Sequence, residues 1–396
     1  MLIGRSATSS WSEEALSTET RILIVSIHSS KNAGDLALLE CTIHQLQAGF
    51  DHPKITLSCN WPKEEYFINS GYEVVQAPWD LSGLNDKTLP GQLFSFLYDV
   101  VRSIAARVKT PPSHRQLTGW EGLFEAYRRA DLVVGVAGNQ FYSTGRFGWP
   151  FPVSLMPVYL ANKFRKPFYT MPQSIGPLRR GWERSLLKKA YQHARVIHVR
   201  DEVSRVLAKD IGIPNDITCY EPDPAFNFPP VERDQAIQFL KEYGYQPDNL
   251  ALGVSVLGSM GRTLPDGSIS NYYQVLAAGL RRFLEHTSAN VYLFSQVTGP
   301  TKIEDDRLGA ATVANLLHDY RERVVNVDGV IAPAMLKACY GLMDFFIPSR
   351  LHSGIFALGM NVPCLFVGYL SKTRGVLRSI GLEDWVIDLK DFTEEN

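Results

Sequence analysis

Residues 347–369 decide the fold, and they read Ile347-Pro-Ser-Arg350-Leu-His352-Ser-Gly-Ile-Phe-Ala-Leu-Gly359-Met-Asn-Val-Pro363-Cys-Leu-Phe-Val-Gly-Tyr369. An apolar run ends at Ile347, a polar turn and a short apolar helix follow, and a second apolar run covers Val362–Val367. Both runs have the length of strands that are buried on both faces. The pattern predicts a βαβ unit, and therefore an α/β fold with parallel sheets.

The turn in this unit carries a cation and a titratable imidazole, Arg350 and His352. Open α/β sheets bind ligands at the carboxyl ends of their strands, and a helix start there favours an anion. Each residue also has a structural interpretation, since Arg at a strand end often forms an ion pair and His is often a packed core residue. The small neighbours Ser349, Ser353 and Gly354 favour the functional interpretation, because they leave room for a ligand.

Length and composition limit the class of protein. A chain of 396 residues predicts two domains, and 45% hydrophobic with 20% charged residues predicts a globular protein. The net charge of −1 gives no bulk attraction to nucleic acid or anionic lipid. No apolar run reaches the ~18 residues of a membrane span. Residues 1–20 lack a signal pattern, so we expect a flexible tail and a cytoplasmic protein.

Cysteine usage points to the same compartment. The five cysteines are scattered, odd in number and mostly within apolar runs, as reduced buried thiols are. Since no Cys-x-x-Cys pair and no other ligand spacing occurs, we expect no metal. The signatures GxGxxG after the first strand and GxxxxGK[ST] are also missing, which weakens dinucleotide and P-loop binding.

The N-terminal half begins with an apolar strand, Arg21–Ile27, and a polar turn that contains Asn32, Gly34 and Asp35. Gly34 allows a tight turn before the helix that follows. Asp35 is suited to cap this helix, and it is equally suited to bind an acceptor substrate. Because the turn follows a parallel strand, it can face the same cleft as Arg350.

Three further strand ends carry polar side chains. Asn139 follows a strand at residues 131–136, and Gln173 and Ser174 lie in a proline-bounded polar loop after Lys166–Met171. Arg200 follows the strand Arg195–Val199 and precedes a helix start, where the dipole disfavours a cation. This placement indicates that Arg200 points at an anion, although an ion pair with Asp201 or Glu202 is the alternative.

Pro-rich sequence from Glu221 to Pro230 separates this half from a second α/β series. We place the domain boundary there, which gives an N-terminal domain at 21–228 and a C-terminal domain at 229–396. Acidic residues at 304–306 are typical of a helix start. Lys372 lies at another strand end, after Tyr369.

These residues together resemble the polysaccharide pyruvyltransferase family over about Arg21 to Ile387. The similar blocks, in chain order, are Asn32–Asp35, Asp131–Phe141, Gln173–Pro177, Val199–Asp201 with Ser204, Asp223–Phe226, and Arg350–His352 with Pro363, Tyr369 and Lys372. The sequence departs from the family where a glycine cluster is reduced to Gly135 and Gly138, and where Pro172 replaces a glycine. Both departures lie in the half expected to hold the acceptor.

The resemblance implies two Rossmann-like domains that face each other across a cleft, as in B-type glycosyltransferases. It also implies a pyruvyltransferase that moves the enolpyruvyl group of phosphoenolpyruvate onto a sugar diol, forms a cyclic ketal and releases phosphate. The partners would be phosphoenolpyruvate and a saccharide, whether a glycan, a lipid-linked sugar or a sugar nucleotide. Phosphoenolpyruvate is a substrate here, and no cofactor is expected. The acceptor sugar and the oligomeric state stay open.

On this resemblance, the C-terminal domain would hold the donor and the N-terminal domain the acceptor. His352 and Arg350 are the expected catalytic residues. The expected residues for phosphoenolpyruvate are Arg200, Arg350, Leu351, His352 and Lys372, and those for the acceptor are Asn32, Asp35, Asn139, Gln173 and Ser174.

Two other functions fit the same architecture. One is a glycosyltransferase whose sugar nucleotide is held through its diphosphate by Arg350 and Lys372. The other is a catalytically silent member that binds a sugar phosphate. The retention of Arg200, Arg350, His352 and Lys372 argues against the silent member.

Overall fold

The structure, a computed structural model, describes residues 19–78, 119–143, 151–258, 271–368 and 371–393. Nearly all of the predicted tail at 1–20, and Tyr369 of the signature, lie outside these ranges. The chain divides into two compact units, and the main division falls between Pro222 and Asp223, ahead of the predicted boundary after residue 228. Two short segments, Lys31–Leu38 and Asp201–Val203, group with the second unit. We describe each unit by itself.

The first unit contains a parallel sheet with the described strand order β3-β2-β1-β4-β6-β7-β8, and β5 pairs with β6. Its strands are β1 (Arg21–Ile27), β2 (Lys54–Cys59), β3 (Glu73–Gln76), β4 (Leu132–Gly135), β5 (Gly138–Phe141), β6 (Phe168–Ile175), β7 (Ala194–Val199) and β8 (Thr218–Tyr220). Its helices are α1 (Ala33–Gly49, which starts in the segment grouped with the second unit), α2 (Glu65–Asn69), α3 (Gly119–Arg129), α4 (Phe151–Ser154), α5 (Met156–Lys163), α6 (Gly181–Tyr191) and α7 (Glu202–Ile211).

Strand β1 lies inside this sheet because its side chains are apolar on both faces. Ile22, Leu23, Ile24 and Val25 are each at most 1% exposed. Helices cover both faces of such a sheet, so consecutive apolar residues can all be buried.

The predicted polar loop at 172–177 is wrong in part, because β6 continues to Ile175. Gln173 pairs with Val199 of β7 on one side and with Gly138 of β5 on the other. Pro172 lacks an N–H group, and it lies where the β6–β7 register shifts, between Thr170 and Gln173. The sheet accommodates the proline by this irregularity, so Gln173 and Ser174 lie within the strand.

The second unit contains the parallel sheet β11-β10-β9-β12 and a two-stranded sheet, β13-β14. Its strands are β9 (Ala251–Ser255), β10 (Asn290–Phe294), β11 (Val324–Val327), β12 (Phe345–Pro348), β13 (Phe366–Gly368) and β14 (Val386–Asp388). Its helices are α8 (Arg233–Lys241), α9 (Tyr272–His286), α10 (Asp306–Leu316), α11 (Pro333–Tyr340), α12 (Leu351–Gly359) and α13 (Ser371–Ser379). Short 3-10 turns in the chain cover Asn215–Ile217, Pro224–Asn227, His318–Tyr320, Glu383–Trp385 and Leu389–Asp391.

The predicted strand–helix–strand order is present as β12, α12 and β13, but β12 lies in the four-stranded sheet whereas β13 pairs with β14. The strand predicted at Val362–Val367 is shorter and begins later, at Phe366. Residues 363–365 approach β12 only through an isolated bridge, in which the Phe346 N–H donates to Pro363 O and the Leu365 N–H to Phe346 O. Pro363 has no N–H to add to this ladder, which explains the shorter pairing.

No described helix is both long enough and apolar enough to cross a membrane. Among the described residues, no group of three or more His, Cys, Asp or Glu side chains has the arrangement of a metal site.

The five cysteines are free thiols, and four of them are buried, which agrees with the sequence expectation. Burial raises the pKa of Cys59, Cys339 and Cys364 to about 12. Cys219 is half-buried, and burial raises its pKa as well.

We therefore expect a thiol reagent at neutral pH to modify one cysteine of the native protein, slowly, and all five after unfolding in guanidinium, because the thiolate is the reactive form. Mass spectrometry after limited reaction would identify Cys219 as the modified residue. Rapid native labelling of Cys339 or Cys364 would contradict the burial of these two thiols.

Candidate functional site

The strongest cluster of predicted site residues lies in the second unit, where α12 begins after β12. Arg350 is the residue before the helix, with extended backbone angles (φ −113°, ψ 135°). Leu351 is the first helical residue and His352 the second, and both are buried. The Ser353 hydroxyl donates to Arg350 O at 2.7 Å, which holds the turn. The first backbone N–H groups of α12 and the positive end of its dipole therefore lie beside His352.

His352 packs against the turn that precedes α1. A Cβ atom at Gly34 would lie 2.3 Å from His352 Nδ1 and 2.5 Å from Cγ, far inside contact distance. Only glycine fits here, because any side chain would displace the imidazole. The sequence suggested that Gly34 was a turn glycine, whereas its main constraint is this contact.

A carboxylate lies on the other side of the imidazole. Asp223 Oδ2 is 3.7 Å from His352 Nε2, and the Asp223 side chain is fully buried. The Ala225 N–H donates to Asp223 Oδ1 at 2.9 Å, so the start of a 3-10 turn holds this carboxylate in place. A fixed carboxylate beside one ring nitrogen limits the orientations of the imidazole. Asp223 was noted in the sequence only as part of a similar block, although its position between two prolines indicated a rigid turn.

Arg350 is in an ion pair whose partner is buried. Its Nη2 donates to Asp306 Oδ1 at 2.6 Å, and its Nε lies 3.2 Å from both carboxylate oxygens. The Gly258 and Val297 N–H groups also donate to Asp306, at 2.6 and 3.0 Å. Burial raises the pKa of Asp306, and the Arg350 charge opposes this shift. The carboxylate thus joins the loops that follow β9 and β10 to the start of α12.

The predicted helix start at residues 304–306 is correct, since Asp305 accepts the Arg307 N–H and α10 begins at Asp306. The sequence did not indicate that Asp306 would pair with Arg350, because the two residues are far apart in the chain.

The turn with Asn32 and Asp35 also belongs to the second unit. Asn32 bridges to Val297, and the Ala33 N–H donates to Gln296 O at 3.1 Å. Asn32 Oδ1 accepts the N–H groups of Gly34 and Asp35, and Asn32 Nδ2 donates to Asp35 Oδ2 at 2.8 Å. Asn32 therefore caps α1, the role that the sequence offered for Asp35 as one of two alternatives. Asn32 lies three residues before Asp35 and directly precedes α1, the position from which a side-chain oxygen reaches these N–H groups.

The remaining predicted acceptor residues lie in the first unit, at the ends of β5 and β6. Gln173 is fully buried, and its Nε2 donates to Val136 O. The buried oxygens Gln173 Oε1 and Asn139 Oδ1 have no hydrogen-bond partner among the residues that the structure describes. Because a buried polar atom without a partner is costly, the two oxygens point to bound water or to a substrate hydroxyl.

Arg200 is in the first unit with these residues. Its guanidinium is 1% exposed, and Nε donates to Ser174 Oγ at 2.8 Å. Lys372, by contrast, is the second residue of α13 in the second unit, where it is partly buried. The residues predicted for the donor are thus divided between the units, and so are those predicted for the acceptor.

Three comparisons with known proteins show the family and the fold. A family model described as polysaccharide pyruvyl transferase matches residues 32–371. The amylovoran biosynthesis protein AmsJ of Erwinia amylovora is 20% identical to the chain, over 94% of the chain and 89% of that protein.

Solved structures show the fold. The UDP-GlcNAc 2-epimerase of Methanocaldococcus jannaschii superposes with a TM-score of 0.54 at 10% identity, over 94% of this chain and 88% of that one. The enzyme of the same name from Neisseria meningitidis, bound to UDP-GlcNAc, gives 0.50 at 9% identity, over 96% and 97%. These likenesses and the two parallel sheets confirm the predicted fold class, two Rossmann-like α/β domains of the B-type glycosyltransferase architecture.

Proposed function

Because the chain belongs to the polysaccharide pyruvyl transferase family, we propose that it moves the enolpyruvyl group of phosphoenolpyruvate onto a sugar diol and forms a cyclic pyruvate ketal. The coarser role, pyruvyl transfer in polysaccharide biosynthesis, is supported by the family match and by the similarity to the amylovoran biosynthesis protein. The observation that carries the finer proposal is the buried His352 between Asp223 and Gly34, at the start of α12.

The donor is suited to the start of α12. Phosphoenolpyruvate carries a carboxylate and a phosphate, and a helix N-terminus favours anions. Arg350 lies near this point. Its guanidinium is held by Asp306, which limits the movement of the side chain. A cation that is already oriented loses little conformational entropy when it binds an anion. Lys372 and Arg200 are further proposed donor ligands, and Leu351 contributes its backbone at the helix start.

The reaction needs a group that can both give and take a proton. In the proposed sequence, protonated His352 gives a proton to the methylene carbon of phosphoenolpyruvate, while a sugar hydroxyl oxygen bonds to the adjacent carbon. The carbon–oxygen bond to phosphate then breaks, and phosphate leaves with the bonding electron pair. The second sugar hydroxyl closes the ketal on the same carbon. Of the two hydroxyl protons, one restores His352 and the other leaves with phosphate.

Imidazole fits this role because it ordinarily titrates at about pH 6.5. Asp223 Oδ2, 3.7 Å from Nε2, is placed to orient the imidazole during the transfer. For the acceptor, the buried oxygens of Asn139 and Gln173 are suited to accept hydrogen bonds from sugar hydroxyls, and Ser174, Asn32 and Asp35 are further proposed contacts.

The test is phosphate release by the purified full chain from phosphoenolpyruvate, with pyranosides that offer a 4,6-diol or a vicinal diol as acceptors. We expect phosphate release that depends on the acceptor, and a product whose mass spectrum and NMR methyl signal identify a ketal. The alternative, a glycosyltransferase, would instead release nucleotide from UDP- or GDP-sugars without phosphoenolpyruvate. Nucleotide release together with no binding of phosphoenolpyruvate would overturn the proposal.

A further inference from the structure

The loop after β10 contains a buried amide that no assigned role explains. Gln296 is 2% exposed, and its Nε2 atom has no hydrogen-bond acceptor within the described part of the chain. A buried donor without an acceptor costs on the order of the hydrogen bond it fails to make. Buried amides are normally paired, so this one indicates either a bound water or a ligand atom.

The orientation of the Gln296 amide is set by its other end. The Tyr340 hydroxyl donates to Gln296 Oε1 at 2.8 Å. Burial raises the pKa of Tyr340 well above its ordinary value, so the hydroxyl keeps its proton at any physiological pH. Because Tyr340 occupies the carbonyl oxygen, the NH₂ group is the end that remains to bind something else.

Two contacts place Gln296 beside the His352 site. The backbone carbonyl oxygen of Gln296 accepts the Ala33 N–H, and the next residue, Gly34, is the one that packs on the imidazole. On the other side, the Tyr340 ring is 6.3 Å from the Phe356 ring, one helical turn after His352. Val297, the next residue in the chain, donates to Asp306, which holds Arg350.

We propose that Gln296 Nε2 binds an anionic oxygen of the donor substrate, in its carboxylate or its phosphate. An NH₂ group can only donate, and the segments that adjoin Gln296 contact His352 and the pair of Arg350 with Asp306, the groups proposed for the donor. This inference rests on the proposed function. It adds a neutral hydrogen-bond donor to the cations proposed to bind phosphoenolpyruvate, which are Arg200, Arg350 and Lys372. Gln296 would fix the orientation of phosphoenolpyruvate, so that the methylene carbon faces the proton source.

The decisive variant is Gln296→Glu, which keeps the shape of the side chain and replaces its donor with a negative charge. We expect the Kd for phosphoenolpyruvate, measured by calorimetry on the full chain, to rise about 10- to 100-fold, the size of a lost hydrogen bond to a charged group. Gln296→Leu should give about a tenfold rise, since it removes the donor without adding repulsion. Tyr340→Phe should give a smaller rise, because the amide then loses only its orientation.

The matched control is Asn326→Asp, which makes the same amide-to-acid change on the neighbouring strand β11 and should leave the Kd within about twofold. Phosphate and pyruvate each carry one of the two groups that Gln296 could contact, the phosphate or the carboxylate. We therefore compare their inhibition of the wild type and of Gln296→Glu. Only the inhibitor that carries the contacted group should inhibit the variant more weakly.

Three results would overturn the inference. Equal affinity of wild type and Gln296→Glu for phosphoenolpyruvate, with equal Tm, would overturn it and leave the proposed function in place. A change in acceptor KM alone would assign Gln296 to the acceptor instead. No binding of phosphoenolpyruvate by the wild type would overturn both proposals. If Gln296→Glu fails to fold, Gln296→Leu provides the same comparison.

Discussion

Turnover of the His352→Ala variant is expected to fall by about 10²- to 10⁴-fold, the usual contribution of a general acid–base group. The imidazole is held between Asp223 and Gly34 and is 9% exposed, so a solvent water cannot easily replace it. Phosphate release at saturating substrate, together with the far-UV circular dichroism spectrum, measures the loss against an intact fold. A kcat close to that of the wild type would remove His352 from the mechanism.

Two further variants test the packing of the imidazole. Gly34→Ala should lower kcat with His352 still present, since the new Cβ would lie 2.3 Å from Nδ1. Asp223→Asn should lower kcat, because the fixed carboxylate beside Nε2 is then lost. His318→Ala is the matched control, for that imidazole is 76% exposed on a 3-10 turn and should leave kcat unchanged.

The Asp306→Ala variant is expected to lose about 3–5 kcal/mol of stability, the usual cost of removing one partner of a buried ion pair. Arg350, which is 18% exposed, would keep its charge without the carboxylate, and the Gly258 and Val297 N–H groups would lose their acceptor. Urea unfolding followed by circular dichroism and fluorescence would measure the loss.

Asp305→Ala is the control for Asp306→Ala, because it removes an adjacent carboxylate that caps α10. Loss of a cap costs about 1 kcal/mol. Equal destabilisation by the two variants would show that Asp306 acts only as a residue of the helix start, and that its bonds to Arg350 contribute little.

Much of the fold could be read from local patterns. The runs around Ile347 and Val367, and the strand Arg21–Ile27, are apolar at the length of buried strands, and the structure places parallel strands at all three. The Arg350–His352 turn follows from the same pattern, because a strand and a helix must be joined at the carboxyl edge of a parallel sheet. These features depend on residues that are close together in the chain.

The errors arose where distant residues meet. The loop predicted at 172–177 became part of β6 because β5 and β7 supply pairing partners on either side. The turn from Lys31 to Ala33, which contains the capping residue Asn32, is held by residues 296–298. The strands that pair with β6 and the residues 296–298 come from distant parts of the chain, so local propensity does not reveal these contacts. Their energies are similar to those of local preferences.

The sequence by itself therefore determined the α/β class, the strand–helix–strand order and the position of Arg350 and His352 at a helix start, because each of these depends on hydrophobic periodicity and turn chemistry over a few residues. Only the tertiary structure decided which groups surround those two side chains. Asp223, Asp306 and Gly34 reach this region from separate segments of the chain. Their positions are set by how sheet and helices pack, and a local pattern contains no information about which distant carboxylate or amide will fill a buried space.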